Sequence, residues 1–404
     1  MKTVLISGGS IAGPALAHQL GRYGFRTTLV EKAPALREGG QAVDFRGTAH
    51  LTVLERMGIL DEIRRLQTQM GAVAVVNGDG KQVSSLPSEI MSGDMEIARG
   101  DLSRVFYEAT KDRTEYVFGD SISSLSEHAD GVDVTFERSA PRTFDLVVGA
   151  DGAHSGVRRL AFGPESDFRR DLGVCSAVFT VPNQFGLDHR ALMYSTPGKG
   201  AYVYSKRNTA EATAALFFAS RRLEYDHRDA EQHKDIVTGV FANEGWQVPW
   251  LLRAMRDAPD FYFDRASQIH IDRYSTGRVV LLGDAGYAGG PGAMGTGLAV
   301  VGAYVLAGEL AAAPDDHRTA FARYEEQIRP YAAVCQKQAE GMDRFLVPGT
   351  RSQIWTRNLM WKALPYLPWK GIINKLTTKA ANAISLKEYV KEGELGQRLV
   401  SVNG

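Results

Sequence analysis

Cysteine is nearly missing from this chain, and so is every arrangement that would put it to use. Of 404 residues only Cys175 and Cys335 are cysteine. They stand alone, with no CxxC and no His/Cys cluster, which excludes structural zinc, an iron–sulfur cluster and a disulfide-framed secreted domain. A reducing, cytoplasmic setting is the expectation. Charge of one sign is missing too. Lys plus Arg (47) balances Asp plus Glu (47), so nothing marks the chain for nucleic acid. No apolar run reaches the 18 residues of a membrane span. The opening Val4-Leu5-Ile6 stops at Gly8-Gly9, as a first strand does and a signal peptide does not. The nine histidines form neither HxxxH nor HExxH, so no metal site is expected, and His154 and His270 are read as structural. No serine occupies a GxSxG elbow. What remains is a chain long enough for two or three units, each with a core.

Glycine is plentiful, and it is clustered. Of 42 glycines, two groups, Gly8 to Gly13 and Gly283 to Gly297, each follow a short aliphatic run and precede an alanine-rich helical one. Such clusters suit a backbone that a ligand approaches closely. In the first, Thr3-Val4-Leu5-Ile6 predicts a strand buried on both faces, and Pro14 to Leu20 a helix. Between them lies GGSIAG. The dinucleotide fingerprint GxGxxG falls on Gly8, Ser10 and Gly13, with Ala12 inside the turn. Ser10 departs from the strict pattern, but it is small and its hydroxyl suits a phosphate at a helix N-terminus. Arg26 to Val30 predicts a second strand ending in Glu31, where an acid binds a ribose 2'-hydroxyl and repels a 2'-phosphate. Gly290-Pro291-Gly292-Ala293-Met294-Gly295 has the same letters but neither a strand directly before it nor an acid-ended strand after it. It is rejected as a second dinucleotide site.

Two further strands end in charge. Phe144 to Ala150 runs into Asp151-Gly152-Ala153-His154-Ser155-Gly156-Val157-Arg158. Ligands lie at the carboxyl ends of strands in an open α/β sheet, so Asp151 and Arg158 are expected to face a cofactor, the alternative for Asp151 being a helix cap. Gly277 to Leu282 runs into Gly283-Asp284-Ala285, with Pro291 and Gly295-Thr296-Gly297 ahead of a helix from Leu298 to Leu310. Asp284 suits a ribityl hydroxyl, and the free N–H groups of that helix start suit a ring carbonyl or a developing anion.

Together GGSIAG, GADGAHSGVR and GDAGYAGGPGAMGTG, in this order, resemble the three signatures of class A FAD-dependent aromatic hydroxylases. The resemblance runs from Met1 to about Leu310. It is closest to polyketide-tailoring hydroxylases and tetracycline-inactivating monooxygenases. It implies the p-hydroxybenzoate hydroxylase fold: a Rossmann-like α/β FAD-binding domain, an inserted antiparallel β-sheet substrate domain and a C-terminal helical segment. It also implies FAD as cofactor, NADPH or NADH as co-substrate, and delivery of one oxygen atom from O2 through a flavin hydroperoxide to an aromatic or polyketide-like small molecule. The flavin carries the chemistry, so no protein catalytic residue is assigned. By the same resemblance Arg99 contacts FAD and Arg46 is the arginine of a mobile loop; guanidinium suits pyrophosphate. The chain departs from the family at Gly286-Tyr287, where many members have Ala-His, and a flexible loop is expected over Ala288-Gly289-Gly290. A redox-neutral FAD-containing cyclase or isomerase of the same fold is the rival reading. A flavin halogenase is disfavoured, because Trp246-Gln247-Val248-Pro249-Trp250 does not fit WxWxIP.

The spacing of the motifs makes the cofactor domain discontinuous, over 1–70, 96–172 and 266–330, with the substrate domain over 71–95 and 173–265. Alternation at Ala201 to Ser205 and the run Ala214 to Ala219 predict antiparallel strands, with Tyr202, Tyr204, Phe217 and Phe218 as candidates to line a pocket. The remaining 331–404 is a helical segment whose stretch from Arg344 to Lys379 is basic, without acid, and carries Trp355, Trp361 and Trp369. Core packing, a lid over the substrate and a membrane-surface helix are the three readings of those tryptophans. A monomer or homodimer is expected.

Overall fold

Three aliphatic runs, each too apolar to leave a face in water, lie side by side in one sheet. The computed structural model describes residues 1–36, 40–87, 93–206, 209–220, 223–226, 229–364 and 378–389. Strand β1 (Thr3–Ser7), helix α1 (Ala12–Arg22) and strand β2 (Arg26–Glu31) open the chain. There follow β3 (Ala42–Phe45), α2 (Gly47–Met57), α3 (Leu60–Arg65), β4 (Val73–Val76), β5 (Gln82–Leu86), β6 (Met95–Ala98), α4 (Arg99–Thr110) and β7 (Thr114–Phe118). An antiparallel meander of β8 (Ile122–His128), β9 (Gly131–Phe136) and β10 (Arg142–Phe144) leads to β11 (Leu146–Gly149) and α5 (Gly156–Ala161). The chain then builds β12 (Arg169–Pro182), β13 (Arg190–Thr196), β14 (Lys199–Ser205), β15 (Glu211–Ala219), α6 (Ala230–Phe241), α7 (Val248–Asp257) and β16 (Tyr262–Ile269). It returns through β17 (Ser275–Thr276), β18 (Val279–Leu281), α8 (Asp284–Tyr287), α9 (Gly295–Ala312), α10 (His317–Gln338), α11 (Met342–Leu346) and α12 (Arg351–Ala363).

The first sheet has the order β17-β18-β11-β1-β2-β7 and is parallel except for β17. Leu5, Ile6, Val147, Val148 and Val280 have no exposed surface. Each such burial contributes about 1.5–3 kcal/mol. The register sets Ser7 opposite Gly149 and Val30, and Gly149 opposite Leu281. All three motifs therefore leave neighbouring strands at one edge. Helix α9 packs between α1 and α10. By length and composition alone it could cross a membrane, but most of it is buried inside the fold. A helix apolar on all sides suits that interior place.

The second sheet has seven strands in the order β16-β12-β15-β14-β13-β4-β5, antiparallel except where β13 meets β4. Its two faces differ. Ala201, Val203, Leu216 and Phe218 pack under α6 and α7 in one core. Tyr202, Tyr204 and Met193 turn to the opposite face, where the Tyr204 hydroxyl accepts the Ala42 N–H of β3 at 3.0 Å. That face lies against the unit built on the parallel sheet.

Secondary-structure elements run across the expected boundaries in three places. This sheet reaches out to Arg169 and Ile269, because β12 and β16 pair beyond 173–265. Residue 95 pairs instead with Phe45 in the β3–β6 ladder. The boundary at 330 cuts through α10, which continues past Pro330. Pro330 and Glu326, four residues before it, are both exposed, so water can take the carbonyl that proline leaves without a partner.

Candidate functional site

The first turn is shaped by close backbone approach. Gly8 has φ +112°, and a Cβ there would lie 2.3 Å from the Ala150 carbonyl oxygen. A Cβ on Gly13 would lie 2.0 Å from the Gly8 oxygen. Only glycine lets α1 start this near the strand ends. Glu31 accepts the Gly9 N–H at 2.6 Å on one oxygen and the Ala33 N–H at 2.8 Å on the other. Its remaining lone pairs are available to hydroxyls. Arg99, at the start of α4, donates to the Ser10 hydroxyl at 3.0 Å. The two residues named separately from the sequence thus meet at the Gly8–Gly13 turn, and Ser10 gains a partner that a glycine could not hold.

The second motif is turned inward more than expected. Asp151 accepts from the Val157 N–H at 3.1 Å and from the Ser155 and Ser7 hydroxyls, so it ties the start of α5 to β1. Burial pushes its carboxyl up against those hydrogen bonds. Arg158 was expected to face a ligand. It is fully buried, donating to the carbonyls of Ala285 at 2.8 Å and Ala153 at 2.6 Å. Burial lowers its guanidinium, and its role here is to fasten the second motif to the third. Glu165 stands 3.4 Å from the same guanidinium, so the buried charge is paired as well as hydrogen-bonded.

The third motif ends in an exposed Asp284. Its carboxyl is nevertheless pushed up by desolvation, partly offset by Arg99. Exposure together with desolvation means that it faces a cleft inside the molecule. Tyr262 of β16 behaves alike: it is 45% exposed, its hydroxyl is raised by desolvation, and Arg99 and Asp284 both act on it. The cleft thus runs between the Gly8–Gly13 turn and the seven-stranded sheet. Helix α9 opens on this side with Met294 at its N-cap and no side-chain cap. Its first-turn residues Gly295 and Thr296 are half-buried, while Gly297 packs against His50 so tightly that a Cβ would sit 2.2 Å from the ring. Pro291 lines a small cavity of about 30 Å³ with Leu172, Val174 and Leu346.

The Gly286-Tyr287 departure is structural. Tyr287 is 1% exposed and its hydroxyl meets that of Tyr324 at 3.0 Å, which in turn donates to the Leu281 carbonyl. The loop after it is pinned, not loose. Gln268 donates to the Gly289 carbonyl and Gln336 to that of Ala288, each at 3.1 Å.

Arg46 stands at the N-cap of α2, paired with Asp44. It joins the flank of the site through His50, whose Nδ1 accepts the Arg46 N–H and whose ring touches Gly297. Of the four aromatic candidates, Phe218 faces the α6–α7 core and stacks on Phe263. Alternation puts Phe217 with Tyr202 on the cleft-facing side. Trp361 is 1% exposed against Phe345 and the sheet, Trp355 is 64% exposed, and Trp369 lies outside the described residues.

Sequence reasoning did not see the ion-pair network around His154, which it read as structural, nor a buried arginine. His154 bridges Glu165 at 3.0 Å and Asp264 at 3.2 Å, and Asp264 accepts from the Tyr262 hydroxyl. Those two carboxylates raise His154 to about 9, while Glu165, against the pull of burial, is held at about 2 by His154 and Arg169. Alternation at Tyr262 and Asp264 was the available signal. Arg357 is 7% exposed and donates to the Phe345 carbonyl and Ser195 hydroxyl, each at 3.0 Å, with desolvation lowering it to about 10. Its spacing of four from Trp361, over whose ring the guanidinium lies at 4.4 Å, was the available signal; its Ser195 partner is remote in sequence. Among the described residues no cluster fit for a metal occurs.

This chain matches the FAD binding domain family over residues 1–339. It is 38% identical over 398 residues to a flavin-dependent monooxygenase from an unknown prokaryotic organism, covering 96% of this chain and 99% of that protein. It is 48% identical over 338 residues to the protein Rv1260 of Mycobacterium tuberculosis, covering 82% and 91% respectively. The crystal structure of the tetracycline destructase Tet(51) matches with a TM-score of 0.85 at 31% identity, covering 96% of this chain and 99% of that one.

Proposed function

The chain belongs to the FAD binding domain family and is an FAD-dependent monooxygenase of the class A fold, and on that premise we propose that it uses NADPH or NADH and O2 to insert one oxygen atom into an aromatic or polyketide-like small molecule. Antibiotic tailoring or tetracycline-type inactivation is the setting, in line with the likeness to a tetracycline destructase. The observation that carries the reading is the first turn, where close backbone approach admits only glycine at Gly8 and Gly13 and Arg99 donates to the Ser10 hydroxyl at 3.0 Å, with Asp284 and Tyr262 in electrostatic reach of that arginine.

The residues present fit FAD. The Gly8–Gly13 turn leaves the start of α1 open to a pyrophosphate, Glu31 keeps lone pairs for the ribose, and Arg99 stands beside Ser10 to meet phosphate charge. Asp284 is the acceptor for ribityl hydroxyls, and the uncapped start of α9 at Gly295, Thr296 and Gly297 offers N–H groups to the ring carbonyl side. Pro291 shapes the ring's surroundings, and Arg46 guards the flank. Asp151 and Arg158 serve by holding the motifs together. Bound FAD supplies the redox chemistry, accepting a hydride from NAD(P)H and activating O2. The chain binds, orients and keeps water out. Tyr202, Phe217 and Tyr262 give the seven-stranded sheet an aromatic face for a flat substrate, which is what makes it the substrate domain.

The test is NAD(P)H oxidation and oxygen uptake by the purified protein against a panel of phenols and aromatic polyketides that includes tetracycline. A substrate should accelerate both and gain one oxygen atom. Product formed without oxygen uptake would replace this reading with the redox-neutral cyclase.

A further inference from the structure

Helix α2 starts on a residue whose side chain cannot cap it. Its N-cap is Arg46, in extended backbone and with no side-chain cap. Arginine carries donors only, whereas an N-cap must accept from the helix's free N–H groups. Three other side chains take over. The Arg46 N–H goes to His50 Nδ1 at 3.0 Å, and the Gly47 N–H to Asp94 Oδ2 at 2.6 Å. The Ala49 N–H goes to Asn382 Oδ1 at 3.0 Å, and the same oxygen accepts the Thr48 hydroxyl at 3.2 Å. Gly47 has φ +69°, and a Cβ on it would lie 2.5 Å from that Asn382 oxygen. Asn382 therefore caps, from more than 330 residues away, the helix start that carries Arg46.

The segment that presents Asn382 is itself fastened. His50 accepts at Nδ1, so its Nε2 holds the proton and donates to the Tyr331 hydroxyl at 2.6 Å, which donates to the Ala381 carbonyl at 3.1 Å. Farther along, Lys387 Nζ and the Tyr389 hydroxyl both donate to the buried carboxylate of Glu309, at 2.7 and 2.8 Å. Arg56 and the Tyr304 hydroxyl close on the Lys387 carbonyl, each at 2.9 Å. Residues 378–389 are thus tied to α2, α9 and α10, the elements that flank the flavin side of the cleft.

We propose that Asn382 is a positioning residue of the monooxygenase: it fixes the start of α2 so that Arg46 is held at the flavin. This rests on the assignment of Arg46 to the flank of the flavin site. Arg46 stands at the capping position without capping it, and the cap is supplied from a remote segment.

The experiment compares FAD-loaded full-length wild type with Asn382→Ala, Asn382→Asp, Arg46→Ala and the double variant Arg46→Ala/Asn382→Ala. Three quantities are read: amide hydrogen exchange over residues 46–49, the rate of flavin reduction by NADPH, and the melting midpoint. Asn382→Ala should speed exchange at the first turn of α2 and slow reduction, each about fivefold, the equivalent of a typical cap. Asn382→Asp, which still accepts, should restore both. Added to Arg46→Ala, Asn382→Ala should slow reduction no further, because one residue acts through the other. Faster exchange with unchanged reduction, or additive slowing in the double variant, overturns the proposal. If Arg46→Ala alone leaves reduction unchanged, the assignment of Arg46 fails and the route through it fails with it.

Discussion

The two large sheets of this molecule differ in how their faces are used. In the parallel sheet both faces are dry, so β1, β11 and β18 read as continuous aliphatic runs and the chemistry is confined to the turns beyond their last residues. In the seven-stranded sheet one face is filled by side chains packed under α6 and α7, while the other carries half-buried Tyr202, Phe217 and Asp264 toward the cleft. On the proposed function, one sheet places a ligand at its edge and the other offers a face. The edge depends on backbone approach and tolerates almost no change, whereas the face depends on side chains and can be altered by degrees.

That contrast is sharpest at Gly13. Replacing it by valine forces side-chain atoms into the Gly8 carbonyl, 2.0 Å from where the first carbon would stand. The expected outcome is loss of FAD from the purified protein, read from its visible absorbance, and a lower melting midpoint. Next in size is Trp361→Ala, which empties a packed site and should cost about 3–5 kcal/mol in a denaturant melt. Trp355→Ala should leave the midpoint within the ordinary scatter of surface changes, since Trp355 is 64% exposed. A large loss of substrate affinity at constant stability in Trp361→Ala would instead make that tryptophan a lid.

Glu31→Ala comes third. Removing a charge-assisted acceptor should weaken FAD binding by about 1.5–3 kcal/mol, measured by flavin fluorescence on titrating the apoprotein. Unchanged affinity would remove Glu31 from the site. The smallest effect belongs to the junction of the two sheets. His154 is raised to about 9 by Asp264 and Glu165, so its stabilisation is complete below its ordinary 6.5 and is lost as pH rises through about 9. Glu165, held at about 2, contributes fully above its ordinary 4.5 and loses that contribution only as pH falls through about 2. Both are partly exposed, so solvent screening leaves about 1 kcal/mol. The melting midpoint should fall modestly between pH 6.5 and about 9.5, and His154→Gln should flatten that fall.

The parallel sheet was legible in the sequence because burial on both faces and glycine at the strand ends leave local traces. Gly8, Gly13, Glu31 and Asp284 stand where local pattern put them. Arg158 was read as facing a cofactor because a charged residue just past a strand end suits a ligand there; its burial was not legible, since only the fold brings the Ala285 carbonyl to it across more than 120 residues. Alternation marked Tyr202 and Phe218 as strand residues, but which face meets the cleft depends on where α6 and α7 pack. Asn382 leaves no local signal, since the helix start it caps lies far away along the chain.

Whether the parallel sheet's edge is an FAD site is tested most directly by the flavin content of the purified protein. The protein should be yellow and, on denaturation, release close to one free FAD per chain, identified by chromatography, with none left covalently attached. Colourless protein that fails to bind added FAD would contradict it.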